Sequence, residues 1–139
     1  SASKKLAGSS TKMIIGVGTD IVEIARLQKS LQRASGERFL EHVFTVSEQA
    51  SAPGNERQKY AYYAGRWAAK ESLSKALGTG IGSRCLLCEI EILRGEGGKP
   101  DMTLSGAAAE TAAQLGIRHL HVSISHEQAY ACAVVIAED

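Results

Sequence analysis

The stretch "RQKYAYYAGRWAAKESLSKAL", residues 57–77, is the longest helical pattern in the chain and decides the fold. It contains no proline, and the residue that follows, Gly78, is of the type that most often ends a helix. Its small and aliphatic residues gather on one side at helical spacing: Ala61, Ala64, Ala68, Leu73, Ala76 and Leu77. Because alanines let a helix approach a sheet closely, the pattern predicts a long helix lying on a β-sheet.

The opposite side of this helix is aromatic and charged at once. Its members are Tyr60, Tyr63, Arg66, Trp67, Lys70, Glu71 and Lys75. A solvated face with an intrahelical Glu71–Lys75 pair, which contributes roughly a few tenths of a kcal/mol, would account for the charges. A tryptophan flanked by tyrosines beside Arg and Lys is instead typical of a ligand-binding or subunit surface. The helix alone leaves both interpretations open.

Short strand patterns surround the long helix. "IIGV", residues 14–17, predicts a strand, and apolar residues at helical spacing predict a first helix over 22–34 that Gly36 ends. The remaining expected elements are a helical turn at 39–43, strands at 88–92 and 102–104, an alanine-rich helix from the N-cap Ser105 to Leu115, and a hairpin of strands 119–125 and 130–137. This order predicts an α+β fold in which a mixed or antiparallel sheet packs against a long helix and shorter helices.

The composition is that of one ordinary globular domain. The chain has 139 residues, 44% of them hydrophobic and 22% charged, with a formal net charge of +1, so no basic excess indicates nucleic acid. The three cysteines are too few and odd in number for a disulfide framework, which favours a reducing, cytoplasmic location. No stretch is apolar enough to predict a membrane span or a secretory signal. Residues 1–12 are interpreted as a disordered extension or a cloning remnant, and residues 13–139 as a single domain.

Two acidic residues stand near the bases of the long helix. Asp20 follows the first predicted strand, where a carboxylate is costly unless it is paired or bound to a metal. If the sheet carries Asp20 to the edge of the helix, it could share a hard divalent cation with Glu71, and Lys75 would face the same phosphates. Such spacing alone is common in globular proteins, so by itself it favours ordinary surface charges.

Four sequence motifs favour a functional site over ordinary surface charges. "GVGTDIVEIARL", "RWAAKESLSKALGTGI", "GGKP" and "HVSISH" occur in this order over almost the whole span 13–139. Together they resemble the holo-acyl-carrier-protein synthase family, the small 4′-phosphopantetheinyl transferases. The resemblance implies an enzyme that moves the phosphopantetheine group from coenzyme A to a serine of an apo acyl carrier protein and releases adenosine 3′,5′-bisphosphate. It also implies the fold of that family.

The resemblance assigns roles to individual residues. It implies that Asp20 and Glu71 hold Mg²⁺, with Mn²⁺ as a second candidate ion. The residues that it places against coenzyme A are Arg66, Lys70, Lys75, Gly78 and His126. Removal of the proton from the carrier serine falls to Glu71 or to His126, and the two stay open. Many relatives have Asp after this histidine whereas the chain has Glu127, so the part of that acid stays open as well.

The first predicted helix carries a basic ridge. Arg26, Lys29 and Arg33 fall opposite its apolar stripe. Three bases often only solvate a helix, but the family docks acidic acyl carrier proteins against this helix, which implies that Arg26 and Arg33 bind the partner. The resemblance further implies a homotrimer with active sites between subunits.

Two other classes of function compete with the enzyme. Cys85, Cys88, His119 and His121 offer the ligand types of a structural zinc site, although their spacing matches no familiar finger. A non-catalytic docking module would bind an acidic helical partner through Arg26 and Arg33. It would need neither acid, whereas the transferase needs both.

Overall fold

A three-stranded sheet and the long helix form the centre of the molecule, a computed structural model that describes residues 11–139. In chain order the elements are β1 (Ile14–Glu23), α1 (Ile24–Gln32), α2 (Gly36–Val43), α3 (Val46–Ala50), α4 (Glu56–Leu77), β2 (Ile90–Arg94), β3 (Pro100–Leu104), α5 (Gly106–Gln114), β4 (His119–His126) and β5 (Tyr130–Glu138). Most of the predicted extension, residues 1–10, lies outside the described residues. The side chain of Lys12, at its end, contacts the His119 ring nitrogen Nε2 at 2.6 Å.

The strands form two antiparallel units. The larger sheet has the order β1-β5-β4, and β2 pairs with β3 in a separate hairpin. In the larger sheet Asp20 lies opposite Ala133 of the central strand β5, and His126 lies opposite Ala131 on the other side of that strand. Helices and antiparallel sheets thus confirm the predicted α+β class.

Helix α4 is buried on more sides than its alanine stripe predicts. Its C-terminal half packs against the sheet, the β2–β3 hairpin and α5, while its N-terminal half packs against α1, α2 and the segment that follows α2. Tyr60 and Tyr63, predicted to lie on an exposed aromatic side, are buried, and the Tyr63 ring contacts Phe44 at 4.6 Å. Short helices therefore bury Tyr60, Tyr63 and Lys70 on that side, while Trp67 and Glu71 are partly buried and Lys75 is exposed.

Several predicted boundaries also differ from the structure. Strand β1 continues to Glu23, because its pairing with β5 extends over this whole length, so Asp20 lies within the strand and not at its end. Gly36 begins α2 in addition to following α1. Cys88, predicted as the first residue of the strand 88–92, lies instead in a 3₁₀ turn, Leu87–Glu89, and is exposed. Each difference arises from tertiary contacts that local periodicity does not record.

The N-terminus of α5 is capped from a distance. Ser105 precedes the helix as predicted, but its side chain caps no backbone N–H. The carboxylate of Glu89 accepts hydrogen bonds from Ala107 N at 2.9 Å and Ala108 N at 3.1 Å instead. A carboxylate also complements the positive end of the helix dipole, so Glu89 fixes α5 to the start of β2.

One face of the three-stranded sheet packs on α4, and the other is open and carries exposed apolar side chains along β1. The residues of β1 that point outward include Val17 and Ile21, which are 56% and 66% exposed, and Tyr130 of β5 is 46% exposed. Large exposed apolar side chains side by side are unusual on a monomer. We refer to this open surface as the outer sheet face. No helix in the described part of the chain is long and apolar enough to cross a membrane.

Candidate active site

Two glycines bring the first strand against the long helix. A Cβ atom placed on Gly18 would lie 1.8 Å from the Ser72 carbonyl oxygen, and one on Gly16 would lie 2.0 Å from the Ala76 carbonyl oxygen. Any side chain at these two positions would therefore push β1 away from α4. The two glycines of "GVG" thus let β1 pack closely on α4. This places the next inward residue of the strand, Asp20, at the surface of the helix.

Asp20 meets a lysine of that helix. Lys75 Nζ donates a hydrogen bond to Asp20 Oδ1 at 3.2 Å and another to the Thr19 carbonyl oxygen at 3.0 Å. The Lys75 side chain is 52% exposed and that of Asp20 is 19% exposed. The ammonium is thus tied to the strand while the rest of its surface faces solvent, where a phosphate could reach it.

Glu71 lies in the same cleft, one helical turn before Lys75. Burial first, and the nearby Asp20 second, raise the pKa of Glu71 above its usual range, while Lys75 acts in the opposite direction. Two carboxylates that repel each other in a half-buried cleft are stabilised by a bound cation. Their oxygens are the donors that hard divalent ions prefer, and with two protein ligands most positions are left to water and substrate.

The cleft around these acids has a volume of about 340 Å³ and a mixed wall. Arg26 of α1 lines it, so the predicted partner-binding arginine opens onto the same space as Asp20 and Glu71. Phe39 and Trp67 also line it and stack with ring centroids 5.6 Å apart. This wall was not predicted as a unit, because Phe39 and Trp67 belong to different helices. We refer to this space as the Asp20 cleft.

Lys70 does not belong to the cleft. Its side chain has no exposed surface, and its ammonium donates to Glu48 Oε1 at 2.7 Å and to the carbonyl oxygens of Val43, Leu87 and Ile90. Four oxygen partners leave it no capacity for a phosphate, so the prediction that Lys70 contacts coenzyme A is wrong. The reason is that α2, α3 and β2 close over this part of α4.

Glu48, the partner of Lys70, was missed by the sequence analysis. Besides Lys70, its carboxylate accepts hydrogen bonds from the backbone N–H groups of Thr45 and Ile92, at 2.9 and 2.8 Å. The signal that could have found it is the "TVSE" pattern, a capping box in which the Thr45 hydroxyl accepts from Glu48 N. That pattern indicates the helix start, but it does not indicate the buried lysine.

Arg66 and His126 lie together in a second space, away from the Asp20 cleft. Both line a cavity of about 460 Å³ between α4, the β2–β3 hairpin and the end of β4. The Arg66 guanidinium lies over the Tyr62 ring at 4.1 Å, and burial is the main cause that lowers its pKa. We refer to this space as the Arg66 cavity. His126 also borders a wider groove of about 920 Å³ at the start of α4.

Glu127, whose part the resemblance leaves open, supports a turn. Its Oε1 accepts hydrogen bonds from Ala129 N at 2.6 Å and Tyr130 N at 3.1 Å, which closes the β4–β5 hairpin. The carboxylate is thereby engaged with the backbone. Its geometry accounts for the residue without a catalytic role.

Two further predicted residues lie at the ends of helices. Gly78 ends α4 in the left-handed conformation, with φ of 81°, and its N–H donates to the Lys75 carbonyl oxygen. This cap holds Lys75 in the last turn of the helix, and contact of Gly78 with coenzyme A stays a prediction. Arg33 is exposed at the C-cap position of α1, the helix that carries Arg26.

The predicted zinc ligands do not form a site. Cys85 is buried in the core while Cys88 is exposed, and burial raises the pKa of Cys85 to about 11, which keeps the thiol protonated. His121 pairs with Glu138 at 2.8 Å on the outer sheet face. Within residues 11–139 no three His, Cys, Asp or Glu side chains converge on a point suited to a metal ion. The hypothesis of a structural zinc domain is therefore wrong for the described chain.

Comparison with known proteins places this geometry in a family. Residues 16–135 match the family model of the 4′-phosphopantetheinyl transferase superfamily. The chain belongs to this superfamily. It is 48% identical over 126 residues to a holo-[acyl-carrier-protein] synthase of Vibrio cholerae and 46% identical to one of Desulfovibrio desulfuricans, covering 91% of this chain and 98% of each relative.

Solved structures of phosphopantetheinyl transferases agree with the fold. The holo-[acyl-carrier-protein] synthase of Neisseria meningitidis superposes with a TM-score of 0.82 at 33% identity, covering 91% of this chain and all of that one. The Helicobacter pylori enzyme, solved in complex with coenzyme A, superposes with a TM-score of 0.77 at 36% identity, covering 87% of this chain and 98% of that one. The predicted family and fold are thereby confirmed.

Proposed function

We propose that the protein is a holo-[acyl-carrier-protein] synthase that transfers 4′-phosphopantetheine from coenzyme A to a serine of an apo acyl carrier protein. The observation that carries the proposal is that Asp20 and Glu71 line one cleft of a phosphopantetheinyl transferase fold, with Lys75 paired to Asp20 at 3.2 Å. Relatives at 46–48% identity bear this name, and one solved relative holds coenzyme A. We place it in the cytoplasm, because coenzyme A and carrier proteins are its substrates.

The reaction makes one phosphorus–oxygen bond and breaks another. The serine oxygen of the carrier attacks the phosphorus that bears the pantetheine arm. The bond from that phosphorus to the bridging oxygen breaks, and adenosine 3′,5′-bisphosphate leaves with the electron pair. Negative charge therefore grows on the leaving phosphate, and Lys75, an exposed cation paired with Asp20 beside the cleft, would stabilise it.

The residues of the cleft fit a magnesium ion. Asp20 and Glu71 would hold it, and Mn²⁺ has the same preference for carboxylate oxygens. When bound, the ion neutralises charge on the pyrophosphate of the donor. The raised pKa of Glu71 supports this assignment, because Asp20 is one of its causes.

Glu71 is the better placed of the two predicted proton acceptors. It lies in the Asp20 cleft, the space onto which Arg26 of the proposed docking helix also opens, so it is near the place where the carrier serine would enter. His126 borders the Arg66 cavity and not the Asp20 cleft, so in a composite site it would meet the part of coenzyme A held in that cavity. We therefore propose that Glu71 accepts the proton of the carrier serine and that His126 binds the nucleotide end of coenzyme A.

The carrier docks on α1. Arg26 lines the Asp20 cleft, and Arg33 extends its positive charge along the same surface. An acidic carrier bound here would present its serine to the cleft, and its affinity would fall with added salt.

The active enzyme is a homotrimer with composite sites. The outer sheet face supports assembly, because burial of Val17 and Ile21 against other copies would remove exposed apolar surface. The separation of the Asp20 cleft from the Arg66 cavity supports sites made by two subunits. A mixture of inactive D20A and inactive R66A chains would then regain activity on reassembly, whereas sites contained in one chain would stay inactive.

Intact-protein mass spectrometry tests the reaction. An apo acyl carrier protein incubated with the enzyme, coenzyme A and Mg²⁺ gains the mass of phosphopantetheine, and the gain disappears with EDTA or with Asp20→Ala. A docking module would bind the carrier equally well with Asp20→Ala and add no mass. Absence of any gain with a panel of apo carriers, from folded protein that binds coenzyme A, would contradict the proposal.

A further inference from the structure

Lys75 is the cation that pairs with Asp20, one of the two proposed metal ligands. Its Nζ lies 3.2 Å from Asp20 Oδ1 and 3.0 Å from the Thr19 carbonyl oxygen, so two acceptors of β1 bind it. The charge of Lys75 also reaches the second acid. Burial and then Asp20 raise the pKa of Glu71, and Lys75 opposes both. One ammonium therefore acts as counter-ion to both carboxylates.

A divalent cation and this ammonium compete for the same carboxylate. Mg²⁺ and Mn²⁺ bind carboxylate oxygens directly. An ammonium that remains on Asp20 is then a near neighbour of the ion, and like charges at such separations repel each other even in a half-exposed cleft. The contact between Lys75 and Asp20 therefore opposes the binding of the metal ion.

The side chain of Lys75 is free to leave Asp20. It is 52% exposed and lies in the last turn of α4, so rotation about its own bonds can carry the ammonium away from the strand. Lys70 lacks this freedom, because it is fully buried and four oxygens bind it. A phosphate of the donor would give the ammonium of Lys75 a new charged acceptor. The exchange costs little, since an exposed ion pair contributes little to stability.

We propose that Lys75 is an exchangeable counter-ion, which pairs with Asp20 in the free enzyme and moves to a phosphate of the donor when the metal ion binds. The contact with Asp20 is thus autoinhibitory toward the metal, and it couples the two ligands. Each ligand favours the position of Lys75 that suits the other, so each raises the affinity for the other by the same factor. This inference rests on the proposed function, since it assumes a divalent cation at Asp20 and Glu71 and coenzyme A as the donor.

Binding of Mn²⁺ to the enzyme without coenzyme A tests the competition. Titrations followed by electron paramagnetic resonance give Kd for wild type and for Lys75→Met. Loss of the ammonium tightens Mn²⁺ binding about 3- to 10-fold, as expected when an exposed ion pair no longer competes with the ion. Lys75→Arg keeps the charge and binds Mn²⁺ as wild type does. Lys99→Met, which removes an equal charge outside the Asp20 cleft, changes Kd by less than about twofold.

Calorimetry of coenzyme A binding without a carrier tests the exchange. Kd for coenzyme A is measured in EDTA and at saturating Mn²⁺, and the ratio of the two values is the coupling between the ligands. In Lys75→Met, coenzyme A binds more weakly in both conditions, and the ratio falls at least about threefold because the exchange no longer contributes. Mn²⁺ binding that is unchanged or weaker in Lys75→Met, or an unchanged ratio, would overturn the inference.

The same variants separate this inference from the proposed reaction. An enzyme that shows both changes and adds no phosphopantetheine to any apo carrier would contradict the proposed reaction alone. An enzyme that modifies the carrier, but whose Mn²⁺ affinity is insensitive to Lys75→Met, would overturn the exchange alone.

Discussion

Two lysines of helix α4, Lys70 and Lys75, look alike in the sequence and have opposite environments. Lys70 is buried with Glu48 at 2.7 Å, and Lys75 is half-exposed with Asp20 at 3.2 Å. The first is enclosed by backbone carbonyls that complete its hydrogen bonding, while the second keeps part of its ammonium toward solvent. The motif "KESLSK" therefore contains two lysines with different roles. Lys70 forms a buried ion pair that stabilises the fold, and Lys75 supplies a positive charge at the site.

The two pairs should respond differently to mutation. A buried ion pair contributes little net stability over an apolar pair, but loss of one partner strands the other charge and costs about 3–5 kcal/mol. An exposed pair contributes about 1 kcal/mol or less to stability. The Lys70–Glu48 pair is therefore a stability element, and the Lys75–Asp20 pair is a functional one.

Lys70→Met gives the largest expected effect. It leaves the Glu48 carboxylate buried without its cation, so the free energy of unfolding falls by about 3–5 kcal/mol, measured by urea denaturation. The double variant Glu48→Gln/Lys70→Met recovers much of the loss, because no stranded charge remains. If the free energy of unfolding of Lys70→Met lies within about 0.5 kcal/mol of the wild-type value, the Lys70–Glu48 pair does not have the stabilising role assigned to it.

Lys75→Met sharpens the contrast at the other end of the motif. Stability changes by less than about 1 kcal/mol, while kcat/KM for carrier modification falls about 10²- to 10³-fold, as for the loss of one charge-stabilising donor. Urea denaturation and a timed mass-spectrometric assay of the same samples separate the two effects. A variant that is destabilised and fully active would reverse the roles assigned to the two lysines.

Gly18→Ala breaks the contact on which the exposed pair depends. The new methyl group would meet the Ser72 carbonyl oxygen, so β1 must shift, which costs about 1–3 kcal/mol and displaces Asp20 from Lys75. Gly54→Ala is the matched control, because nothing lies within 4 Å of a Cβ at that position. Thermal unfolding and turnover of the two variants check this; equal behaviour would mean that the approach of β1 to α4 is not tight.

The Glu89 cap of α5 gives the smallest effect and a pH signature. Partial burial would raise the pKa of Glu89, but hydrogen bonds from the N–H groups of Leu86, Ala107 and Ala108 outweigh it and hold the pKa below its usual range. A lowered folded-state pKa stabilises the protein above the unfolded value and is lost as pH falls through the folded one. Glu89→Gln therefore costs about 1 kcal/mol at pH 7, and its difference from wild type shrinks below about pH 4.5. A difference that does not change with pH would assign the cap to hydrogen bonding alone.

The sequence predicts most of the fold because its elements are strongly patterned. The long helix, the final hairpin and the α5 helix were found near their observed bounds, since alanine periodicity, Gly78 and alternating apolar residues are local signals. The full length of β1 was not found. Its pairing with β5 is a contact between distant residues, which the local pattern does not report.

The site was predicted in part for a related reason. Residue types and family motifs identified Asp20, Glu71 and Lys75 as candidates. The structure places Asp20 and Glu71 in one cleft and pairs Lys75 with Asp20. The same motifs could not distinguish Lys70 from Lys75, because burial depends on Glu48, which lies 22 positions earlier in the chain. Arg94 lines the Arg66 cavity as well, and no motif indicates this, because only the folded β2–β3 hairpin brings Arg94 to that cavity.

One measurement tests the division between the two lysines most directly. It is the rate at which Lys75→Met and Glu48→Gln/Lys70→Met add phosphopantetheine to an apo acyl carrier protein, followed by intact mass and normalised to folded enzyme. The account predicts a rate near wild type for the double variant and a loss of at least about 100-fold for Lys75→Met. Loss of activity in the folded double variant, with Lys75→Met close to wild type, would contradict it.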